Sequence, residues 1–249
     1  MTALVLLHGL TESSAMWDPL IGSLEADPSS DGNRRVLTVD LRGHGSAPRT
    51  PPYDLETMAR DALGEIDSTG VSLEDSVLIG HSLGGIVATA MASVSSPRGV
   101  INIDQSLSLA DFQDTLRPLE EMLRGDDATF QGAITAVFDA MRGPLSDAEF
   151  DRLAAIRDAD QDVVLGVWSP LLDSEASELD ALVEAVCATV SCPYLALFGI
   201  DPGPEYPAWL TERIAGAHTE VWADHGHYPH LVEPERFVDR VDEFVGSLD

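Results

Sequence analysis

The chain contains no lysine: all 14 of its Lys/Arg positions are arginine, and they stand against 43 aspartates and glutamates, for a formal charge of −29. That imbalance argues against nucleic acid as a partner, because a polyphosphate would be repelled rather than neutralised. The same field disfavours polyanionic substrates and anionic lipid surfaces while tolerating neutral and cationic ligands. Two origins fit the acidity, a GC-rich genome that prefers arginine, alanine and aspartate, or adaptation to salt, and composition leaves both open. Cysteine is nearly absent as well. Cys187 and Cys192 are the only two, without histidines at metal-ligand spacing, and read as free buried thiols in a reducing cytoplasm. A basic leader is missing, and the opening "ALVLLHG" is far too short to cross a bilayer, so it reads as a first buried strand and not a signal peptide or membrane anchor. No internal repeat or low-complexity tract stands out.

What is present is alternation. Candidate strands are Ala3 to Leu7, Arg35 to Val39, Ser76 to Ile79, Val100 to Ile103, Tyr194 to Phe198 and Thr219 to Trp222, each followed by loop and helix signals. Helical stretches fall near residues 14–26, 54–68, 83–95, 205–216 and 234–247, the last introduced by Pro234. Such alternation predicts right-handed crossovers and a mostly parallel sheet. With 249 residues and 44% hydrophobic content, the chain fits one α/β domain with an insertion. The interval from Gln105 to about Ser191 carries helical periodicity and no convincing strand. It is therefore expected to form a helical lid over 105–189, flanked by a core made of 1–104 and 190–249. Residues 27–33 form a loop by composition.

The stretch "VLIGHSLGG" carries the chemistry. Its apolar residues form a strand, the small and apolar residues after it form a buried helix, and Ser82 sits at the turn between them. Gly80 and Gly84, two positions either side, fit a nucleophile elbow in which a strained serine is lifted out of the sheet toward a helix N-terminus. The pentapeptide alone leaves alternatives open, since glycine-rich strand-to-helix turns also bind phosphate or merely connect. Its possible partners are Leu7-His8-Gly9-Leu10, the Asp40 to Ser46 segment, and His225-Gly226-His227, all at carboxyl ends of predicted parallel strands, where ligands bind in open α/β sheets.

With "LLHG", "DLRGHGSA", "GHSLGG" and "DHGHYPHLVEP" in that order, the chain resembles the α/β-hydrolase fold enzymes over most of its length apart from the lid. The resemblance implies a three-layer α/β/α sandwich with six strands ordered second, first, third, fourth, fifth, sixth, and without the antiparallel hairpin that usually begins the family's sheet. It implies Ser82 as nucleophile, the backbone N–H groups of Leu83 and Leu10 as oxyanion donors, and His227 as general base. The family's acid usually follows the penultimate strand, which selects Asp201, although only Ile200 separates it from Gly199 where two residues are common. Asp104 is the alternative, taken from the end of the fourth strand, with Glu205 behind it.

These residue types suit acyl transfer, because a serine hydroxyl needs a base to take its proton and a carboxylate to orient that base. Nothing in such a scheme demands a metal or organic cofactor. Trp17, His81, Met141 and Trp168 are possible substrate contacts, each with an ordinary packing role as the competing reading. His8, His44, His225 and His230 read as residues that hold their own turns together, and Glu120-Glu121 and Asp126-Asp127 as solvated charge. The expected function is hydrolysis of a small or medium carboxylic ester, with lactone or thioester as near variants. The alternatives are a lyase or cofactor-free oxygenase or perhydrolase on the same fold, or a ligand receptor retaining a residual hydrolase site. Oligomeric state, acyl group and alcohol are not legible.

Overall fold

The structure, a computed structural model, describes residues 2–26, 32 and 34–248. The loop expected over 27–33 lies, apart from Gly32, outside the described residues. Six strands form one sheet: β1 (Ala3–Leu7), β2 (Val36–Val39), β3 (Ser76–His81), β4 (Gly99–Ile103), β5 (Tyr194–Phe198) and β6 (His218–Val221). Their order is β2-β1-β3-β4-β5-β6, and every pairing is parallel. The four inner strands are buried along their whole length. That is why they read as largely apolar runs, the pattern of strands covered on both faces. β6, at an edge, is half exposed and mixed in composition.

Alternate side chains of each strand feed two cores. On one face Val5, Leu7, Leu78, Ala196 and Phe198 pack with α2 (Leu55–Ser68), α3 (Leu83–Val94) and the insertion. On the other, Leu4, Leu6, Ile79, Leu195 and Leu197 pack with α1 (Asp18–Glu25) and the C-terminal helix. That last helix places Phe237, Val241 and Phe244 on one face, the spacing of an amphipathic surface helix.

Between β4 and β5 the chain leaves the sheet for six helices: α4 (Leu109–Leu116), α5 (Glu120–Leu123), α6 (Asp127–Met141), α7 (Asp147–Ile156), α8 (Gln161–Asp173) and α9 (Ala176–Cys187). The remaining helices are α10 (Tyr206–Arg213), α11 (Pro229–Val232) and α12 (Pro234–Gly246). The fold is an α/β/α sandwich of the α/β-hydrolase type. Its strand order reverses at β1, so the loops after β1 and β3 lie side by side at the carboxyl edge, the crevice where such sheets bind ligands. Both cysteines are free and buried. Among the described residues, no helix is long and apolar enough to cross a membrane.

Candidate active site

Ser82 has φ 52° and ψ −121°, a conformation that costs a non-glycine residue of order 1–3 kcal/mol and persists only where its surroundings impose it. Two glycines make the turn possible. A Cβ on Gly80 would stand 2.0 Å from the Gly84 carbonyl oxygen, and one on Gly84 would stand 2.3 Å from that of Leu7. Strand and helix therefore approach more closely than any side chain would allow. The Ser82 N–H donates to the Ile103 carbonyl at 2.9 Å, tying the elbow to the neighbouring strand. Leu83 is the first residue of α3, so its N–H has no preceding turn to bond and carries the positive end of the helix dipole. Leu10, in the loop after β1, lines the same cavity as Ser82, Leu83 and His227.

The His227 ring is held by Asp104. Its Nδ1 lies 2.6 Å from Asp104 Oδ2, and the two side chains are only 8% and 3% exposed. A carboxylate at that distance fixes Nδ1 as the protonated nitrogen and leaves Nε2 with a free lone pair. The other oxygen of Asp104 accepts from the N–H groups of Gly199 at 2.7 Å and Ile200 at 2.9 Å. Asp104 itself has φ 50°, a second strained residue at a strand end.

This geometry corrects the expectation that Asp201 is the partner of His227. Asp201 borders the cavity, but it is exposed and its Oδ1 accepts from Gly203 N–H at 2.8 Å. The turn after β5 contributes two backbone donors to the carboxylate that follows β4 instead of contributing the carboxylate. Two further expectations are corrected. Trp17 does not wall the cavity; it is fully buried in the opposite core against the His230 ring. His81 does not face the cavity either: its Nε2 donates to the His227 carbonyl oxygen at 2.8 Å. Met141 and Trp168 do line the cavity.

Behind the histidine lies a polar cluster that the sequence did not announce. Glu12 is buried and accepts from Gly9 N–H at 3.2 Å and from the Tyr228 hydroxyl at 2.8 Å, with His81 Nδ1 3.5 Å away. Arg157 in turn donates to the Tyr228 hydroxyl at 2.9 Å. Burial pushes the Glu12 carboxyl up, but His81, Tyr228 and Arg157 together outweigh it and hold the group down at about 2. His230 sits among the rings of Trp17, His81, Tyr228 and Phe237; burial, with His81, His227 and Arg152 in the same sense, keeps it neutral far below the ordinary histidine range. His8 bridges two loops, its Nδ1 2.7 Å from Gly9 O and its Nε2 accepting from Leu41 N–H. His44 Nδ1 lies 3.1 Å from Arg42 O. Neither lines the cavity.

The insertion is tied directly to these loops. Asp158 N–H donates to Thr11 O at 2.8 Å, and His227 N–H donates to Met141 O at 3.0 Å. Arg152 donates to the carbonyls of Ala15 and Met16.

The alpha/beta hydrolase family model matches residues 4–240. The chain belongs to that family. Among curated members of the α/β-hydrolases, it is 28% identical to the pimeloyl-[acyl-carrier protein] methyl ester esterase of Neisseria meningitidis, over 98% of this chain and 93% of that protein. It is 26% identical to the sn-1-specific diacylglycerol lipase ABHD11 of Mus musculus, over 98% and 80%, and 30% identical to human protein phosphatase methylesterase 1, over 73% and 46%. An esterase structure from Exiguobacterium antarcticum superposes with a TM-score of 0.76 at 20% identity, covering 99% of this chain and 92% of that one. Carboxylic ester hydrolysis is the activity class these relatives and the family support.

Proposed function

We propose that the protein hydrolyses carboxylic esters through an acyl-enzyme on Ser82, with His227 as general base and acid and Asp104 as the orienting carboxylate. The observation that carries the reading is the buried Asp104–His227 pair opening on the same cavity as a serine held at positive φ. In the first step His227 Nε2 takes the Ser82 proton as Oγ attacks the ester carbonyl carbon, and the charge passing to the carbonyl oxygen is met by the Leu83 and Leu10 N–H groups. Collapse breaks the bond to the alcohol oxygen, which receives the proton from His227. Water then attacks the acyl-enzyme, gives its proton to His227, and displaces Ser82 Oγ, which recovers that proton as the carboxylic acid departs. Asp104 stays ionised throughout, stabilising the imidazolium without accepting its proton.

The relatives named above act on different substrates, and their shared feature is the carboxylic ester bond. The test is acylation. A fluorophosphonate is expected to phosphonylate Ser82 with loss of fluoride and a 4-nitrophenyl ester to acylate it with a burst of nitrophenol, and Ser82→Ala is expected to lose both reactions while retaining its fold. Unchanged turnover in that variant refutes the assignment.

A further inference from the structure

The cavity that opens at Ser82 has a volume of about 980 Å³, the upper end of the range for small-molecule sites. One of its walls is α3. From that helix Ile86, Ala90 and Val94 line the cavity, a stripe at helical spacing that runs from the nucleophile to the last residue of the helix. Twelve residues of helix span about 18 Å. A second wall is α9, which contributes Leu179, Leu182 and Val186, three and four residues apart. Val94 is 72% exposed and Leu182 52% exposed, so the far end of the channel has an apolar rim in contact with water.

The polar groups along this channel are already engaged. Thr89 Oγ1 donates to Gly85 O at 2.7 Å, Ser93 Oγ donates to Ala90 O at 2.7 Å, and burial pushes the Cys187 thiol up to about 11, keeping it uncharged. On the α2 side, Asp54 caps its own helix through Thr57 N–H and Arg60 lies 3.9 Å from Glu56. The charged residues of the lining, Asp54, Glu56, Arg60, Asp104, Asp201 and His227, all lie outside α3 and α9, which contribute none. These two walls therefore suit an alkyl chain and not a polar or charged acyl group.

The geometry points to a long, unbranched acyl chain as the part of the ester that lies between α3 and α9; the inference rests on the acyl-enzyme reading above and names its substrate class. The acyl carbon is the atom bonded to Ser82, at the head of the α3 stripe. The alcohol must leave on the side of His227, which protonates it, and that residue belongs to the loop after β6, away from α3. Carbon–carbon bonds of about 1.5 Å advance an extended chain by roughly 1.25 Å each. The channel thus accommodates a chain of about 14 carbons along the helix.

The experiment is a series of 4-nitrophenyl esters from acetate through butyrate and octanoate to dodecanoate, kept below their micellar concentrations, with dodecyl acetate as the reversed arrangement. Values of kcat/KM are expected to rise with acyl length beyond butyrate, by up to about fourfold per methylene, and dodecyl acetate is expected to gain no comparable advantage over ethyl acetate. Ala90→Trp, which fills the middle of the stripe, is expected to lower the dodecanoate-to-acetate ratio by at least about tenfold. Turnover that is flat or falling beyond butyrate overturns the inference and leaves the hydrolase reading standing. A preference carried by the alkyl group of dodecyl acetate overturns the acyl orientation. No turnover and no Ser82 acylation with any ester, acetate included, overturns the hydrolase reading itself.

Discussion

Acid should loosen this protein before its carboxylates begin to titrate, and His44 sets the scale. Burial, with His8 adding to it, holds the His44 ring neutral down to about 4, against an ordinary value of 6.5. Because the folded value lies below the unfolded one, the unfolded chain binds the proton first as pH falls. The stabilisation is present above 6.5 and is lost progressively between 6.5 and 4. At about 1.4 kcal/mol per pH unit, His44 alone should remove roughly 2 kcal/mol between pH 7.5 and 5.0. Burial lowers His8 and His230 as well, so both act in the same direction. In that window ordinary Asp and Glu side chains remain ionised, and Glu12, held at about 2, contributes only once the pH drops below about 4.5. The assay is urea unfolding at the two pH values, because guanidinium chloride would screen the chain's charge of −29 and confuse two effects. His44→Phe keeps a ring and removes the titration. With a urea slope of about 3 kcal/mol per molar, the variant's pH-induced midpoint shift should be smaller than that of the wild type by roughly 0.7 M. An identical shift in both proteins would refute the reasoning.

Asp104→Asn is expected to lower kcat by about 10⁴-fold, the loss that neutralising a triad aspartate causes in a serine protease, whereas Asp201→Asn should stay within a few-fold of wild type; the reverse ranking in steady-state assays returns the acid to β5. Glu12→Gln should destabilise the fold by about 2–3 kcal/mol at pH 7.5, because the Tyr228 hydroxyl and Gly9 N–H lose a buried charged acceptor, read as a lower urea midpoint. Gly84→Ala should prevent accumulation of folded protein, because the added carbon would stand 2.3 Å from Leu7 O; a soluble, active variant contradicts the close approach. If the acidity is salt adaptation, Tm should climb steadily from dilute to molar salt as screening relieves self-repulsion, and a plateau at physiological salt points to genome composition.

Strand positions are legible because four of the six are buried on both faces and largely apolar, and the turn at Ser82 is legible because it demands glycine at fixed offsets. The acid is not. The choice between Asp104 and Asp201 depends on which carboxylate two backbone N–H groups meet, and those donors, on Gly199 and Ile200, have no side-chain signature. The shortened spacing before Asp201 was the one available hint. Glu12 was missed for a related reason: a single glutamate in a short turn reads as solvated unless its partners are known, and these come from positions 81 and 228. Trp17 is not placed by its sequence, because a tryptophan beside a site can face either side of the sheet and helix periodicity over four residues of 3₁₀ turn is too brief to choose.

The hydrogen bonds that join Thr11, Ala15, Met16 and His227 to the insertion bear on how such an enzyme can change. A replacement cap spliced between Asp104 and Val190 could enclose a new cavity and still yield an inert protein, because the loop that carries Leu10 and the loop that carries His227 would lose their bracing. Specificity and rate are therefore not separable modules in this molecule. Variation that reshapes the cavity through single side chains on α8 or α9 leaves those ties in place, while wholesale exchange of helices α6 and α7 would have to reproduce them bond for bond.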